Sequence, residues 1–224
     1  MKNIISFFSS KEDGNLAFHV NDDKNSVICN HKMLALKLGY DHAKLVHMKQ
    51  VHSNRVVVVD NSFNFNTPPI CDALITNKKN LPLMVMVADC TPILLYDRKK
   101  SAIAVVHAGR EGAFKNILKE TIFKMKNEFN TDSNDLEVVL GPSIKKCCYE
   151  IGSKMAKENS EFEYAIDEMY YLHIDKILLK QLNELGVENI KISNSCSCCE
   201  SKTLYSYRAE GVKAGRMAGV IMLK

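Results

Sequence analysis

The sequence predicts an α/β fold (α+β type): one domain over residues 1–224, with packed mixed β-sheets flanked by helices. Three observations carry this expectation. Runs rich in Val and Ile, bounded by turn residues, outnumber the helical segments. Several of these runs are apolar at every position, as strands covered on both faces are. Two consecutive runs are separated by only Asp97 to Ser101, a short polar turn that suggests a hairpin and excludes a simple βαβ repeat.

Strands are expected at residues 55–60, 73–76, 83–87, 93–96, 102–107, 136–140, 189–192 and 217–223. Helices are expected where apolar residues recur with a period near 3.6. Residues 26–38 place Val27, Leu34 and Leu38 on one side and stop at Gly39. Residues 112–129 align Phe114, Leu118, Ile122, Met125 and Phe129 in one stripe, and residues 174–185 end before Gly186. There is no internal repeat and no low-complexity linker, and 224 residues suit one compact domain with a sizeable core.

Composition narrows the function classes. Hydrophobic residues are 46% and charged residues 25%, as in ordinary globular chains. The net charge of +4 has both signs interspersed, without the concentrated basic face that nucleic-acid binding needs. Lys78-Lys79, Lys99-Lys100 and Lys145-Lys146 are pairs that read as solvated loops. The first eight residues are too short an apolar run for a signal peptide. The stretch from Leu81 to Leu95 is broken by Asp89 and two prolines, so it is no membrane span. A cytoplasmic protein is expected, and in a reducing compartment its eight cysteines are thiols, metal ligands or redox groups before they are disulfides.

Three residues of ligand type fall at the ends of expected strands, where rigid scaffolds present functional groups: His52, Cys90 and His107. Two imidazoles and a thiolate suit zinc and leave a fourth position open, as catalytic sites do. Their separations of 38 and 17 residues fit no local finger, so on the residues alone two satisfied histidines and a buried thiol describe them better than a metal site does. Cys196-Ser197-Cys198-Cys199 is a rival metal cluster. It has no neighbouring ligand pair to complete it except Cys147-Cys148 far upstream, and it reads as incidental thiols. His19, His31, His42, His47 and His173 read as surface or capping residues, and Met84, Met86 and Met125 as core.

An ordered series of motifs runs through these residues. It comprises Gln50-Val51-His52, Cys71-Asp72-Ala73-Leu74-Ile75-Thr76, Ala88-Asp89-Cys90-Thr91-Pro92, Val106-His107-Ala108-Gly109 and Gly141-Pro142-Ser143-Ile144. Cys147-Cys148-Tyr149-Glu150-Ile151-Gly152, Tyr205-Ser206-Tyr207-Arg208 and Ala214-Gly215-Arg216-Met217-Ala218 complete it. The series resembles the laccase-domain family, first described as multicopper polyphenol oxidases and now as bacterial purine nucleoside phosphorylases, over roughly residues 10 to 223.

The resemblance implies a metal, usually zinc and less often copper, at His52, Cys90 and His107. It also implies phosphorolysis of adenosine, inosine, guanosine and methylthioadenosine, with adenosine deamination as a companion activity. Purine nucleosides and phosphate would be the partners of a monomer or homodimer, with no nucleic acid and no membrane. Deamination needs a carboxylate to carry a proton, for which Asp89 is nearest and Glu150 second. Phosphate and ribose contacts are expected from Arg208 first, then Arg110, Lys145 and Arg55, because a guanidinium fork suits phosphate. Gln50 and Cys148 are further candidates for lining the site.

The chain departs from the family pattern beside His107. The family usually reads His-Ala-Gly-Trp-Arg-Gly; here Arg110 replaces the Trp and Glu111 the Arg. His31 and Ser53 stand where the family tends to have Arg and Gly. Three other readings stay open. A copper-dependent polyphenol oxidase needs more histidine ligands than the seven present. A cysteine hydrolase would use Cys90 and His107 as nucleophile and base. A non-enzymatic metal-binding module would bind without turnover.

Overall fold

The protein is described by a computed structural model that covers residues 4–158, 161, 163–166 and 169–224. Strand β1 (Ile4–Phe8) is followed by helix α1 (Lys24–Leu38), then β2 (Val56–Val58), β3 (Ala73–Thr76), β4 (Leu83–Val87), β5 (Thr91–Asp97) and β6 (Ala102–Ala108). Helices α2 (Arg110–Phe114) and α3 (Ile117–Phe129) come next, then β7 (Leu136–Leu140), β8 (Glu150–Ile151) and α4 (Ser153–Glu158). The order ends with β9 (Glu163–Ile166), β10 (Met169–Leu172), α5 (Ile174–Glu184), β11 (Asn189–Ile192), α6 (Tyr207–Glu210) and β12 (Met217–Leu223).

The main sheet is mixed and runs β11-β7-β5-β6-β3-β2. A second sheet, β1-β12-β4, is antiparallel, and a small one runs β8-β10-β9. Side chains alternate across each strand, and that alternation builds the layers. In β6, Ala102, Ala104 and Val106 face a core shared with Leu118, Ile122, Leu178 and Leu182 of α3 and α5. Ile103 and Val105 face the other way, onto Leu83, Val85 and Ile221 of the second sheet. The far face of that sheet, with Met84, Met86 and Val220, packs on Leu34 and Ala35 of α1. The order of layers is helix, sheet, sheet, helix. The two inner sheets are covered on both faces, which explains why β4, β6 and β12 are buried throughout.

The expected hairpin is present: β5 and β6 pair antiparallel, with Pro92 opposite His107 and Asp97 opposite Ala102. Helix α1 begins two residues before the expected start, because the Asp23 carboxylate accepts from the Ser26 amide as a cap. It stops at Gly39 in the left-handed conformation, as expected. The expected helix over 112–129 is two helices, broken at Asn116 with φ of 60°. Gly112 sets the first direction. A Cβ there would sit 3.3 Å from the Ser53 carbonyl oxygen and 3.4 Å from that of His107, so α2 lies directly on these backbones. The chain must then turn before α3 can lay Leu118, Ile122 and Met125 on the sheet. Strands β1, β8, β9 and β10 and the short helices α4 and α6 were not among the expected elements.

His31 corrects another expectation. It is fully buried, not a surface residue: its ring stacks on Phe18 at 5.6 Å, and Nε2–H donates to the Leu16 carbonyl at 2.7 Å. His42 and His47 close the same aromatic group around Phe65. His173 occupies the N-cap position of α5, as a capping reading expects, without a side-chain cap bond. Met84 and Met125 are fully buried, and Met86 nearly so.

Candidate metal centre

The hairpin brings two of the three expected ligands together. Cys90 stands just before β5, and His107 is the last residue but one of β6, so both lie at the open end of one antiparallel pair. His52 arrives from the loop before β2 in the left-handed conformation, with φ of 58°. One ligand atom from each of the three lies within 4.8 Å of the others, with Cys90 Sγ 4.0 Å from His52 Nε2. The imidazole rings meet nearly edge to face, with centroids 4.8 Å apart. Gly109 leaves room for the group, since a Cβ there would lie 3.0 Å from both Cys90 Sγ and His52 Cδ2.

Asp72 organises this centre, and the sequence reading missed it. It is fully buried immediately before β3. One oxygen lies 2.8 Å from His107 Nδ1 and accepts the His52 amide at 3.0 Å. The other accepts both the amide and the hydroxyl of Ser53 at 2.7 Å. The carboxylate therefore fixes the His107 ring with Nε2 directed away from Asp72, and it holds the backbone on either side of His52. The signal was present in Cys71-Asp72-Ala73. A carboxylate beside an apolar strand reads as a turn residue until its partners, 20 and 35 residues away, are known.

The electrostatics match the chemistry of the donors. Burial pushes the Cys90 thiol up, but the charge and hydrogen bond of His107, with a smaller contribution from His52, outweigh it and bring the thiol down to about 6. Burial pushes His107 down, yet Cys90 and Asp72 together hold it up to about 9. The carboxylate of Asp72 would rise on burial, but hydrogen bonds from His107 and Ser53 hold it at about 2. A thiolate and two imidazoles converging on one point form a donor set for a divalent ion of borderline softness. The residues present fit a metal.

The triad lines a cavity of about 600 Å³. Asp89, Gln50, Arg208 and Arg110 line it as well, whereas Glu150, Cys148, Lys145 and Arg55 are not among its lining residues. Asp89, at φ of 85°, accepts the Ser197 hydroxyl at 2.7 Å and the Arg208 amide at 2.6 Å. The Gln50 amide group bonds both the carbonyl and the N–H of Met86. Arg208 donates to the carbonyls of Cys148 and Glu150 at 2.9 and 3.0 Å, and its guanidinium lies over the Tyr149 ring. Lys145 is tied to Ser143 and Asp175. Arg110 contacts the Met155 sulfur, and Glu111 pairs with Lys115 on the outer side of α2. His19, read as a surface histidine, is exposed but lines the cavity. Arg216, unnamed among the candidates although it lies in a matched motif, lines it too.

The family model described as multi-copper polyphenol oxidoreductase laccase matches residues 8–224. The chain belongs to that family. Its relatives include a protein of Clostridium acetobutylicum named purine nucleoside phosphorylase, 38% identical over 97% of this chain and 91% of the relative. A purine nucleoside phosphorylase of Corynebacterium glutamicum is 37% identical over 93% of this chain and 86% of its own length. Among solved structures, the Bacillus licheniformis hypothetical protein YfiH superposes with a TM-score of 0.92 at 28% identity, covering 99% of this chain and 93% of that one. No helix among the described residues is long and apolar enough to cross a membrane.

Proposed function

We propose that this single-domain laccase-family protein is a zinc-dependent purine nucleoside phosphorylase. Its substrates would be adenosine, inosine, guanosine and methylthioadenosine, with adenosine deamination as a companion reaction. The observation that carries the reading is that one cavity of about 600 Å³ is lined by His52, Cys90 and His107 together with Arg110, Arg208 and Arg216. That volume lies in the range of small-molecule sites. Relatives named purine nucleoside phosphorylase supply the substrate class.

In phosphorolysis a phosphate oxygen bonds to ribose C1′ while the C1′–N9 bond breaks. The electron pair leaves with the purine, which takes up a proton. Charge must be stabilised on both partners. Arg208 suits the phosphate because two main-chain carbonyls already fix its plane, so its remaining N–H groups need no reordering. Arg110 supplies a second guanidinium at the position where the family has its Trp, while Glu111 is turned to Lys115. A divalent ion at the triad, when bound, supplies Lewis-acid polarisation. With Nδ1 held by Asp72, His107 would offer Nε2 to an ion once the proton it carries beside Cys90 is displaced. For deamination, the oxygens of Asp89 are engaged by Ser197 and the Arg208 amide, which favours an orienting role over proton transfer.

The test is to incubate zinc-loaded protein with adenosine, with and without phosphate, and separate the products. Adenine and ribose 1-phosphate formed only with phosphate support the reading, and inosine reports deamination. Neither adenine nor inosine would sink it for these substrates.

One observation favours a second reading. Asp72 holds His107 at 2.8 Å, His107 lies within 4.8 Å of the Cys90 sulfur, and its charge helps lower that thiol, the arrangement of an activated cysteine nucleophile. Activity that survives chelation and is abolished by alkylating Cys90 would favour a cysteine hydrolase. A polyphenol oxidase with several copper sites is disfavoured by the histidine supply. Of the seven histidines, His31, His42 and His47 are committed to the aromatic group around Phe65.

A further inference from the structure

The cysteines that read as incidental thiols in the sequence are brought together by the fold. Strands β7 and β11 are parallel neighbours in the main sheet, with Leu140 opposite Ile192. The chains leaving their ends stay in step through a bridge between Ser143 and Cys196, closed by the Ser197 amide donating to the Ser143 carbonyl at 3.1 Å. Each then turns tightly. The Cys148 and Tyr149 amides donate to the Lys145 carbonyl, and the Glu200 amide donates to the Cys196 carbonyl. The turns carry Cys147 and Cys148 on one side and Cys196 and Cys199 on the other, and their four sulfurs all lie within 4.8 Å of one another.

The distances separate the possible arrangements. Cys147 Sγ is 3.5 Å from Cys196 Sγ and 3.6 Å from Cys199 Sγ, and Cys148 Sγ is 3.3 Å from Cys199 Sγ. A single tetrahedral ion with Zn–S bonds of about 2.3 Å holds its sulfurs roughly 3.8 Å apart. A polynuclear iron–sulfur cluster distributes four thiolates over several irons and spreads them further. All four cysteines are free thiols. Uncoordinated, this is a knot of four thiols, of which Cys147 and Cys199 are exposed and prone to oxidation.

We propose that Cys147, Cys148, Cys196 and Cys199 form a second metal site, a mononuclear tetrathiolate that takes zinc and is closed to substrate. Soft sulfur donors in a closed set of four mark a structural site, in contrast to the open triad. Its position gives it a further role. The Cys148 carbonyl receives Arg208, and Ser197, within the second turn, holds Asp89. The ion therefore braces, from behind, the loops that orient two groups of the candidate centre. This bracing role rests on the proposed use of that centre; the metal site itself does not.

The experiment measures zinc per chain by atomic emission in the full-length protein after growth with zinc and desalting. Two equivalents are expected in the wild type. One is expected in Cys147→Ser/Cys199→Ser and one in His52→Ala/His107→Ala, so a failure of either site shows separately. Should the cysteine variant not fold, the His52→Ala/His107→Ala protein is titrated with an organomercurial in the presence of a zinc indicator. One ion released as four thiols are modified supports the site. An unchanged zinc content on losing the cysteines would overturn it. So would no zinc released in the titration, four thiols recovered by reductant and not by chelator, or iron in place of zinc.

Discussion

Asp72 is the residue on which the candidate centre depends most. It touches His107, Ser53 and the backbone of His52 at once, while contributing no ligand atom itself. Asp72→Asn keeps the shape but puts an N–H₂ or a weaker acceptor against His107 Nδ1. Zinc affinity at the triad should fall roughly 10–100-fold, read by competition with a chromophoric chelator, while far-ultraviolet circular dichroism stays unchanged. Gly109→Ala tests the space around the ligands. The new methyl would press on Cys90 Sγ and His52 Cδ2 at 3.0 Å, so weaker zinc binding is expected with little loss of stability. Unaltered zinc binding in that variant would show that the ligands yield freely. Chemical type and strand-end position singled out His52, Cys90 and His107 but left satisfied histidines and a buried thiol as the stronger reading, and the ordered motifs tipped it toward a metal. Asp72 was not legible, because what makes it important is burial and long-range partners, and sequence neighbours display neither.

Among the elements, the strands that span both inner sheets were the most legible, since burial on two faces leaves an unbroken apolar run. Those that escaped are short or sit at an edge. Strand β8 has two residues, and β10 has a mostly half-covered pattern with weak alternation. The break at Asn116 was hidden because the apolar stripe continues on the same side of the chain across it. What forces the break is the close approach of Gly112 to the Ser53 and His107 backbones. The four-cysteine knot was hidden for a topological reason: only the parallel pairing of β7 with β11 makes Cys147 and Cys199 neighbours. Helix ends were legible where the backbone needs a special residue. Gly39 ends α1 at φ of 73° with no atom within 4 Å of an added Cβ, so only conformational strain opposes substitution. Gly39→Ala should destabilise by about 1 kcal/mol, read as a shift in the urea midpoint at constant slope.

For the molecule as a whole, the outer layer is the place where pH acts on the fold. Helix α1 carries His31 into an apolar site with His42 and His47 close by. Burial, opposed by the bond to Leu16 and reinforced by the two neighbouring histidines, lowers His31 to about 4. His47 and His42 are lowered as well, chiefly by burial. The unfolded chain binds a proton at His31 near pH 6.5 that the folded chain refuses until about 4, so stability is lost as pH falls between those values. At pH 5 this one group accounts for about 2 kcal/mol. Urea unfolding at pH 7.5 and pH 5 should show that loss, and His31→Gln, which keeps a donor for Leu16 without a titrating ring, should remove most of it. Equal pH dependence in the variant would place the effect elsewhere.

The β5–β6 hairpin has its two ligands at one end and its turn at the other. Seven residues of strand at roughly 3.4 Å each put about 24 Å between them. Residues 98–100 in that turn are exposed, and the ion pairs of Arg98 with Glu137 and Lys99 with Asp135 are surface contacts of small energetic value. The turn is therefore a natural splice point. An epitope, a fluorescent label or a small inserted domain placed there would report on the molecule from outside while the ladder between Pro92 and His107 stays in register. A single extra residue within either strand would shift that ladder and pull the thiol and the imidazole out of reach of each other.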